Sequence, residues 1–372
     1  MTETTTEPRR SPLHELHERL GASFTDFGGW LMPVRYTSDL AEHHAVRGSA
    51  GLFDISHMAE FRIEGAGAAD FLNRALAGRL STMKVGKAKY SLVLADDGGI
   101  VDDVIVYRIT EDEFLVISNA GNRAEVAAAF AAVEAGDARL EDITDRMSLI
   151  AVQGPAARGI LEATAGIEDV DPAFADMTYY SWALGSFQGR SLFVARTGYT
   201  GEDGFELMVP NETAEGLWHA VSEAGAAHGL VPAGLAARDT LRLEAGMPLY
   251  GHELSRDIAP AQAGLGRVVA LDKEEFVGKD GLAARDLDGA PVLVGLAAEG
   301  RRAGRAGYAV LSGDETVGEI TSGALSPTLG HPVAMALVHP SASAEGTVLT
   351  IDVRGTRIPA TVTALPFYRR QK

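Results

Sequence analysis

Two acids stand side by side in the apolar run GGIVDDVIVY (98–107), and a third, Glu206, is the second residue of the run FELMV (205–209). An ionised carboxylate inside a strand must be paired or hydrogen-bonded, or its pKa climbs until it is neutral. Such a group suits proton transfer, or a grip on a ligand that offers N–H donors. Side chains alternate faces along a strand, so Asp103, Ile105 and Tyr107 share one side. If the following turn centres on Glu111, Asn119 stands across from Asp103 on that side. Asp102 is then the solvated acid and Asp103 the inward one. An edge hairpin with both acids wet is an equal alternative.

Glu206 follows the stretch RTGYTGEDGFEL (196–207), whose glycines recur every third residue. A phosphate-cradling loop needs a helix start after its glycines, whereas residues 194–196 and 205–209 both read as strand. A hairpin results, with Phe205, Leu207 and Val209 on one face and Glu206 and Met208 on the other. A carboxylate facing a cavity grips two adjacent N–H donors; a wet sheet face explains the pattern equally well. In GLAARDTLRLEAGM (234–247), Arg238 and Arg242 lie one helical turn apart and share a face. Arginine suits bidentate carboxylate recognition, and a surface salt-bridge helix is the plainer alternative. Arg74, Arg79, Lys84, Lys87 and Lys89 form a basic stretch without an acid between Phe71 and Ala95. In a chain of net charge −18 this is a local inversion of sign, suited to an anion or an acidic partner.

The elements that must position these residues are short. Helices are expected over 13–20, 68–76, from Asn122 to about Gly136, after Gly154-Pro155, and over about 213–224 and 235–245. Asn122 with Glu125 three residues on has the form of a capping box. HELH within the first helix lacks the i, i+4 spacing of a metal-ligand pair, so a solvated helix is expected there. Residues 1–12 are too polar to pack and are expected to fray. Strands separated by hairpin-sized gaps point to antiparallel sheets. The stretch 271–291 reads as a linker, and six strand-like runs beyond it form a separate all-β module: 292–296, 307–311, 316–320, 332–338, 347–353 and 357–365.

The 372 residues favour two or three domains. With 51 acidic against 33 basic residues the chain is a poor match for nucleic acid or an anionic membrane surface. It has no cysteine, which excludes disulfides, thiol nucleophiles and cysteine-ligated metals, and no ligand-spaced histidine cluster appears. MTETTTEPRRSP has no apolar core behind its arginines, and no run of 18 apolar residues occurs, so no secretory signal or span is expected and the location read is cytoplasmic.

FGGWLMPVRY (27–36), GLFDISHM (51–58), GGIVDDVIVY, AVQGP (151–155), RTGYTGEDGFEL, ARDTLRLEAGM (237–247), GKDGL (278–282), GEITSGALSPTLG (318–330) and PFYRR (366–370) follow one another in a familiar order. Over nearly its whole length the chain resembles the T-protein of the glycine cleavage system, the folate-dependent aminomethyltransferase family. The resemblance implies an α+β fold of three domains around a central channel for tetrahydrofolate. The first domain would combine 1–53 with 143–270, the second would span 54–142, and a β-barrel or jelly-roll-like module would span 292–372. It implies transfer of a one-carbon unit from the lipoyl arm of the H-protein to tetrahydrofolate, with release of ammonia and no metal.

Under the same resemblance Asp103 is the catalytic aspartate and Glu206 binds the pterin. Arg238 lies near the folate, Tyr90, Asn119 and Tyr199 line the cavity, and Tyr368 and Arg369 belong to the matching C-terminal motif. The glycines of 198–204 then let the hairpin approach the ligand, and Arg79, Lys84, Lys87 and Lys89 dock the H-protein or meet the folate glutamyl tail. GLAARD departs from the family's Gly-Leu-Gly-Ala-Arg-Asp by a methyl at Ala236, and GHELSRDIAP (251–260) replaces a more acid-rich loop. A folate-dependent demethylase of the same fold and a non-catalytic folate-binding protein are the alternatives.

Overall fold

Short apolar runs joined by tight gaps pair with their sequence neighbours, and strand pairing here is antiparallel at all but two junctions. In this computed structural model, which describes residues 7–370, four sheets carry an α+β fold. A five-stranded sheet takes the order Ala88–Leu94, Ile100–Arg108, Glu113–Ser118, Ala59–Glu64, Arg139–Asp142. A seven-stranded sheet runs Ile167–Asp171, Trp182–Phe187, Arg190–Ala195, Gly204–Pro210, Met147–Gln153, Gly51–Asp54, Val231–Pro232. Arg9–Arg10, Trp30–Arg35 and Ser23–Phe27 make a small third sheet. The six strands Val292–Ala298, Ala309–Ser312, Glu315–Leu325, Pro332–Val338, Val348–Val353 and Thr356–Thr363 close into a barrel, the first pairing with the last.

Each of the two larger sheets has one face under helices. Phe61, Val104, Val106 and Phe114 pack on Phe71 and Leu72 of helix Ala68–Ala75 and on Val126 and Phe130 of helix Arg123–Ala131. Ile150, Val152, Leu207 and Val209 pack on helices Ala157–Ala163 and Asn211–Ala226, where Trp218 is buried. The opposite faces meet each other: Tyr107, Leu115 and Ile117 from one sheet pack with Leu149, Phe193 and Met208 from the other, joined by Ala237 and Leu241 of helix Leu235–Glu244. Period-two alternation therefore decides which side chains enter the space between the sheets, and both Asp103 and Glu206 are on that parity.

The hairpin register is the one a turn at Glu111 requires. Ile105 pairs with Ile117 and Arg108 with Phe114, which sets Asp103 opposite Asn119.

Several local expectations fail. Helix His14–Arg19 is not solvated: His17 is buried, with Nε2 2.9 Å from Asp54 Oδ2 and Nδ1 2.9 Å from Tyr36 Oη. Residues 1–6 lie outside the described residues. The chain is held from Arg9 onward, because Arg9–Arg10 pairs with Trp30–Arg35 and Ser11 Oγ donates to Asp54 at 2.6 Å. Asn122 does not cap its helix; its Nδ2 donates to Asp102, and Glu125 pairs with Arg256 at 2.6 Å. The stretch 271–291 contains helix Lys279–Ala284 and buries Phe276 and Lys273, whose Nζ donates to the carbonyls of Asn73, Leu76 and Gly78.

Candidate functional site

A cavity of about 620 Å³ occupies the space between the two larger sheets. Asp103, Ile105 and Tyr107 reach it from one sheet and Glu206 from the other, with Leu235, Ala236, Arg238 and Arg242 of helix Leu235–Glu244 along its wall. Phe27, at the end of strand Ser23–Phe27, and His57 and Met58, in the loop between strands Gly51–Asp54 and Ala59–Glu64, also line it.

Asp103 accepts hydrogen bonds from Tyr90 Oη at 3.1 Å and from Asn119 Nδ2 at 2.8 Å. Burial pushes its carboxyl above the usual carboxylate range, against those two donors. Tyr90 is pushed up by burial and by the Asp103 charge, so it stays a neutral donor. Asp102 is also wholly buried, which corrects the solvated position expected for it; helix Arg123–Ala131 and the turn before it cover that face of the sheet.

Glu206 accepts from Thr197 Oγ1 at 2.5 Å through Oε2, and Tyr107 Oη stands 3.1 Å behind Thr197 Oγ1. Burial raises its pKa, opposed by Thr197 and by the Arg238 charge. The Arg238 guanidinium lies 4.9 Å from the centroid of the Tyr199 ring, and its Nη1 is buried with no hydrogen-bond partner among the described residues. A half-buried cation with one buried N–H unmatched, beside a half-buried carboxylate, is suited to a ligand that supplies the missing acceptor. Tyr199 is held by its Oη donating to the Pro248 carbonyl at 2.6 Å. His57, buried at 2% exposure, is lowered to about 4 by burial and the Arg238 charge, so its imidazole is neutral.

Residues 13–273 match the GCVT N-terminal domain and residues 292–369 the Glycine cleavage T-protein C-terminal barrel domain. The chain belongs to the glycine cleavage T-protein family. It is 55% identical over 367 residues to the aminomethyltransferase of Cutibacterium acnes, covering 97% of this chain and 99% of that one. The aminomethyltransferase of Streptomyces coelicolor is 52% identical over 376 residues, covering 99% and 100%. The structure of the glycine cleavage system aminomethyltransferase T from Bartonella henselae superposes with a TM-score of 0.88 at 34% identity, covering 98% of this chain and 99% of that one.

Of the residues the T-protein resemblance points to, Asp103, Tyr90, Asn119, Tyr199, Glu206 and Arg238 line one cavity. Tyr368 and Arg369 lie outside that lining. The Tyr368 backbone N–H donates to the Glu244 carbonyl at 2.8 Å, beyond the end of the site helix, and its ring lies 4.0 Å from the Arg47 guanidinium. Arg369 is exposed. Arg242 is no surface ion pair either: it is buried, bonded to Glu253 at 2.9 Å and to Ser322 of the barrel at 2.7 Å.

Gly198 lines the cavity, and the hairpin glycines also have a packing role. A Cβ at Gly198 would lie 2.0 Å from Gln153 Oε1 and one at Gly204 2.4 Å from Gln153 Nε2, so both admit that amide, while Gly201 takes a φ of +81°. Thr197 and His57 escaped the sequence reading. Thr197 had a signal: Ala195 pairs with Glu206, so a residue two further along lies diagonal to Glu206 on the same face. His57 sits in a loop, where no periodicity points to a cavity.

The basic stretch is partly committed within the fold. Arg79 pairs with Asp272 at 2.8 Å, Lys89 Nζ donates to the Arg79 carbonyl at 2.8 Å and Lys87 Nζ to Thr178 Oγ1 at 2.8 Å. Lys84 and Lys87 are exposed. Lys87 lies within residues 86–88, which bond to residues 180–182, and Lys84 stands just before them; Tyr180 of the partner segment lines the cavity.

Proposed function

We propose that the chain is the aminomethyltransferase of the glycine cleavage system, taking the aminomethyl group carried on a sulfur of a lipoyl arm and delivering its one-carbon unit to tetrahydrofolate, with release of ammonia and of the arm as its free dithiol. The observation that carries this reading is the convergence of half-buried Asp103, Glu206 and unpartnered Arg238 on one 620 Å³ cavity in a chain of this family. The acceptor supplies the nucleophilic nitrogen and takes up the carbon. Glu206 binds: a pterin edge offers a 2-amino group beside a ring N–H, and one carboxylate matches that donor pair, which compensates its desolvation. Arg238 meets an acceptor of the same ligand and thereby gains the partner it lacks. Asp103, held between Tyr90 and Asn119, orients the ligand and moves a proton at its Oδ atoms. Its raised pKa suits that task, since general acid–base catalysis works best when the group titrates near the operating pH.

The lipoylated H-protein is the proposed donor, docking at Lys84 and Lys87 beside Tyr180, with Arg79 and Lys89 setting the local potential from behind. Residues 1–53 with 143–270, residues 54–142 and residues 292–372 are the proposed domains, and the cytoplasm the proposed location. Among the described residues no helix is long and apolar enough to cross a membrane.

Single-turnover ammonia release from aminomethyl-loaded H-protein, with and without tetrahydrofolate, tests the reading. Folate-dependent release that falls by about a hundredfold in Asp103→Asn is the expected result, within the roughly 10²–10⁴-fold range of acid–base catalysis. Wild-type protein that binds folate and releases nothing faster than buffer does would leave the demethylase or the binding-protein reading in its place.

A further inference from the structure

Strand alternation sends the side chains of Asp102 and Asp103 to opposite faces, yet one amide joins them. Asp102 Oδ2 accepts from the Asn119 backbone N–H at 2.9 Å, and its Oδ1 accepts from Asn119 Nδ2 at 2.8 Å and from Asn122 Nδ2 at 2.7 Å. The same Asn119 Nδ2 donates to Asp103 Oδ1 at 2.8 Å. An amide nitrogen carries two hydrogens, and here one goes to each carboxylate. The flipped amide would set its carbonyl oxygen against both acids, so charge fixes the orientation. Asn119 lines the cavity, and its Oδ1 has no hydrogen-bond partner among the described residues.

We propose that Asp102 is a positioning residue of the transfer reaction: it clamps Asn119 so that one amide hydrogen orients Asp103 and only the amide oxygen is offered to the ligand. This rests on the aminomethyltransferase reading above. The two acids are also coupled through space, because burial raises both and the Asp103 charge adds to the rise at Asp102. Arg256 and Glu125, which act on Tyr250 together with Asp102, pair with each other at 2.6 Å, and Glu206 acts with Asp103 on Tyr180 across the cavity. The phenols facing the pair are Tyr90 on the adjacent strand, Tyr250 beyond the site helix, and Tyr180 and Tyr199 across the cavity. All four are phenols raised by burial, so none of them brings a compensating cation.

Two variants separate positioning from mere folding. Asp102→Asn removes an anion beside Asp103 and one acceptor of Asn119. The midpoint of Asp103 ionisation should move down by about one pH unit. The rate of single-turnover transfer should fall about tenfold as Asn119 loosens. Asn122→Ala removes a donor from the Asp102 anion, which raises the Asp102 midpoint and, by keeping Asp102 neutral to higher pH, lowers the Asp103 midpoint. Midpoints are read twice: from the acid limb of the transfer rate, and from a ¹³C-carboxyl titration of the folate-free protein, with Asp103→Asn assigning the resonance. A lowered Asp103 midpoint in both variants, with the resonance that Asp102→Asn removes moving up in Asn122→Ala, supports the clamp, since general destabilisation has no reason to move the two acids in opposite directions. Wild-type midpoints in both variants, or an Asp103 midpoint that rises in either, overturn it. If Asp102→Asn does not fold, an unmoved midpoint in Asn122→Ala overturns it alone. Absence of folate-dependent ammonia release in the wild type defeats the functional reading, whereas the folate-free titration still decides the coupling of the two acids.

Discussion

Thr197 is the joint on which Glu206 depends, and Thr197→Val isolates it. The hydroxyl has one hydrogen and gives it to Glu206 Oε2 at 2.5 Å, so Tyr107 Oη, 3.1 Å away, must donate to Thr197. Thr197 and Tyr107 are each 1% exposed, and no water can replace the missing hydroxyl without space being made. Valine keeps the shape and leaves the buried Tyr107 hydroxyl and the half-buried Glu206 carboxylate without that partner. Each such orphan costs about 1–3 kcal/mol, so the variant should lose roughly 2–6 kcal/mol where Glu206 is ionised. The pH dependence gives a second check. Glu206 is already raised above its ordinary 4.5 by burial, and removing its donor raises it further. A carboxyl with a raised folded-state pKa leaves stability whole below the unfolded value and reduces it as pH climbs through the folded one. The deficit of Thr197→Val should therefore be larger at pH 8 than at pH 5. Thr197→Ser, which keeps the hydroxyl, is the control, and urea unfolding at both pH values is the assay. A valine variant within about 0.5 kcal/mol of the serine variant at pH 8, or a deficit that shrinks with rising pH, would refute the relay.

Lys84→Glu with Lys87→Glu should weaken H-protein binding and flatten its salt dependence, read as Kd across an ionic-strength series; unchanged affinity removes the docking proposal. Asp54 is pushed up by burial but held at about 2 by His17, Ser11 and Ser56. Its folded pKa lies below the unfolded one, so its stabilisation of about 2 kcal/mol is present above pH 4 and lost as pH falls towards 2. Asp54→Asn should abolish that part of the acid slope in unfolding measured from pH 5 to pH 2, and an unchanged slope would rule it out. Gly154 has a φ of +138°, and a Cβ there would lie 2.3 Å from the Ser49 carbonyl oxygen and 2.7 Å from Ala50 Cα. Gly154→Ala should lose at least about 2 kcal/mol by thermal unfolding, and a wild-type Tm would contradict the packing described.

Local periodicity carried much of the fold. The six barrel strands, the helix Ala68–Ala75 and the register that faces Asp103 with Asn119 all follow from alternation and turn position, which neighbours in sequence decide. Burial of the second face did not follow. Asp102 was read as wet because a two-sided strand ordinarily has a solvent side, and only the helix Arg123–Ala131 and its leading turn remove that side. His14 and His17 were read as wet for the same reason, and Trp218, 5.0 Å from His17 between ring centroids, comes from two hundred residues away.

By itself the sequence determined which residue types share a face, the sign of the basic stretch, and through its ordered motifs the family. Those are properties of short stretches, set by backbone geometry and by the order of residues. The tertiary structure alone decided that Gln153 fills the gap between Gly198 and Gly204, that Arg242 is tied to the barrel while Arg238 stays unmatched, and that Tyr368 stacks on Arg47 away from the cavity. Each of these depends on which distant element arrives to cover a side chain, and burial, hydrogen-bond satisfaction and pKa are set by that arrival.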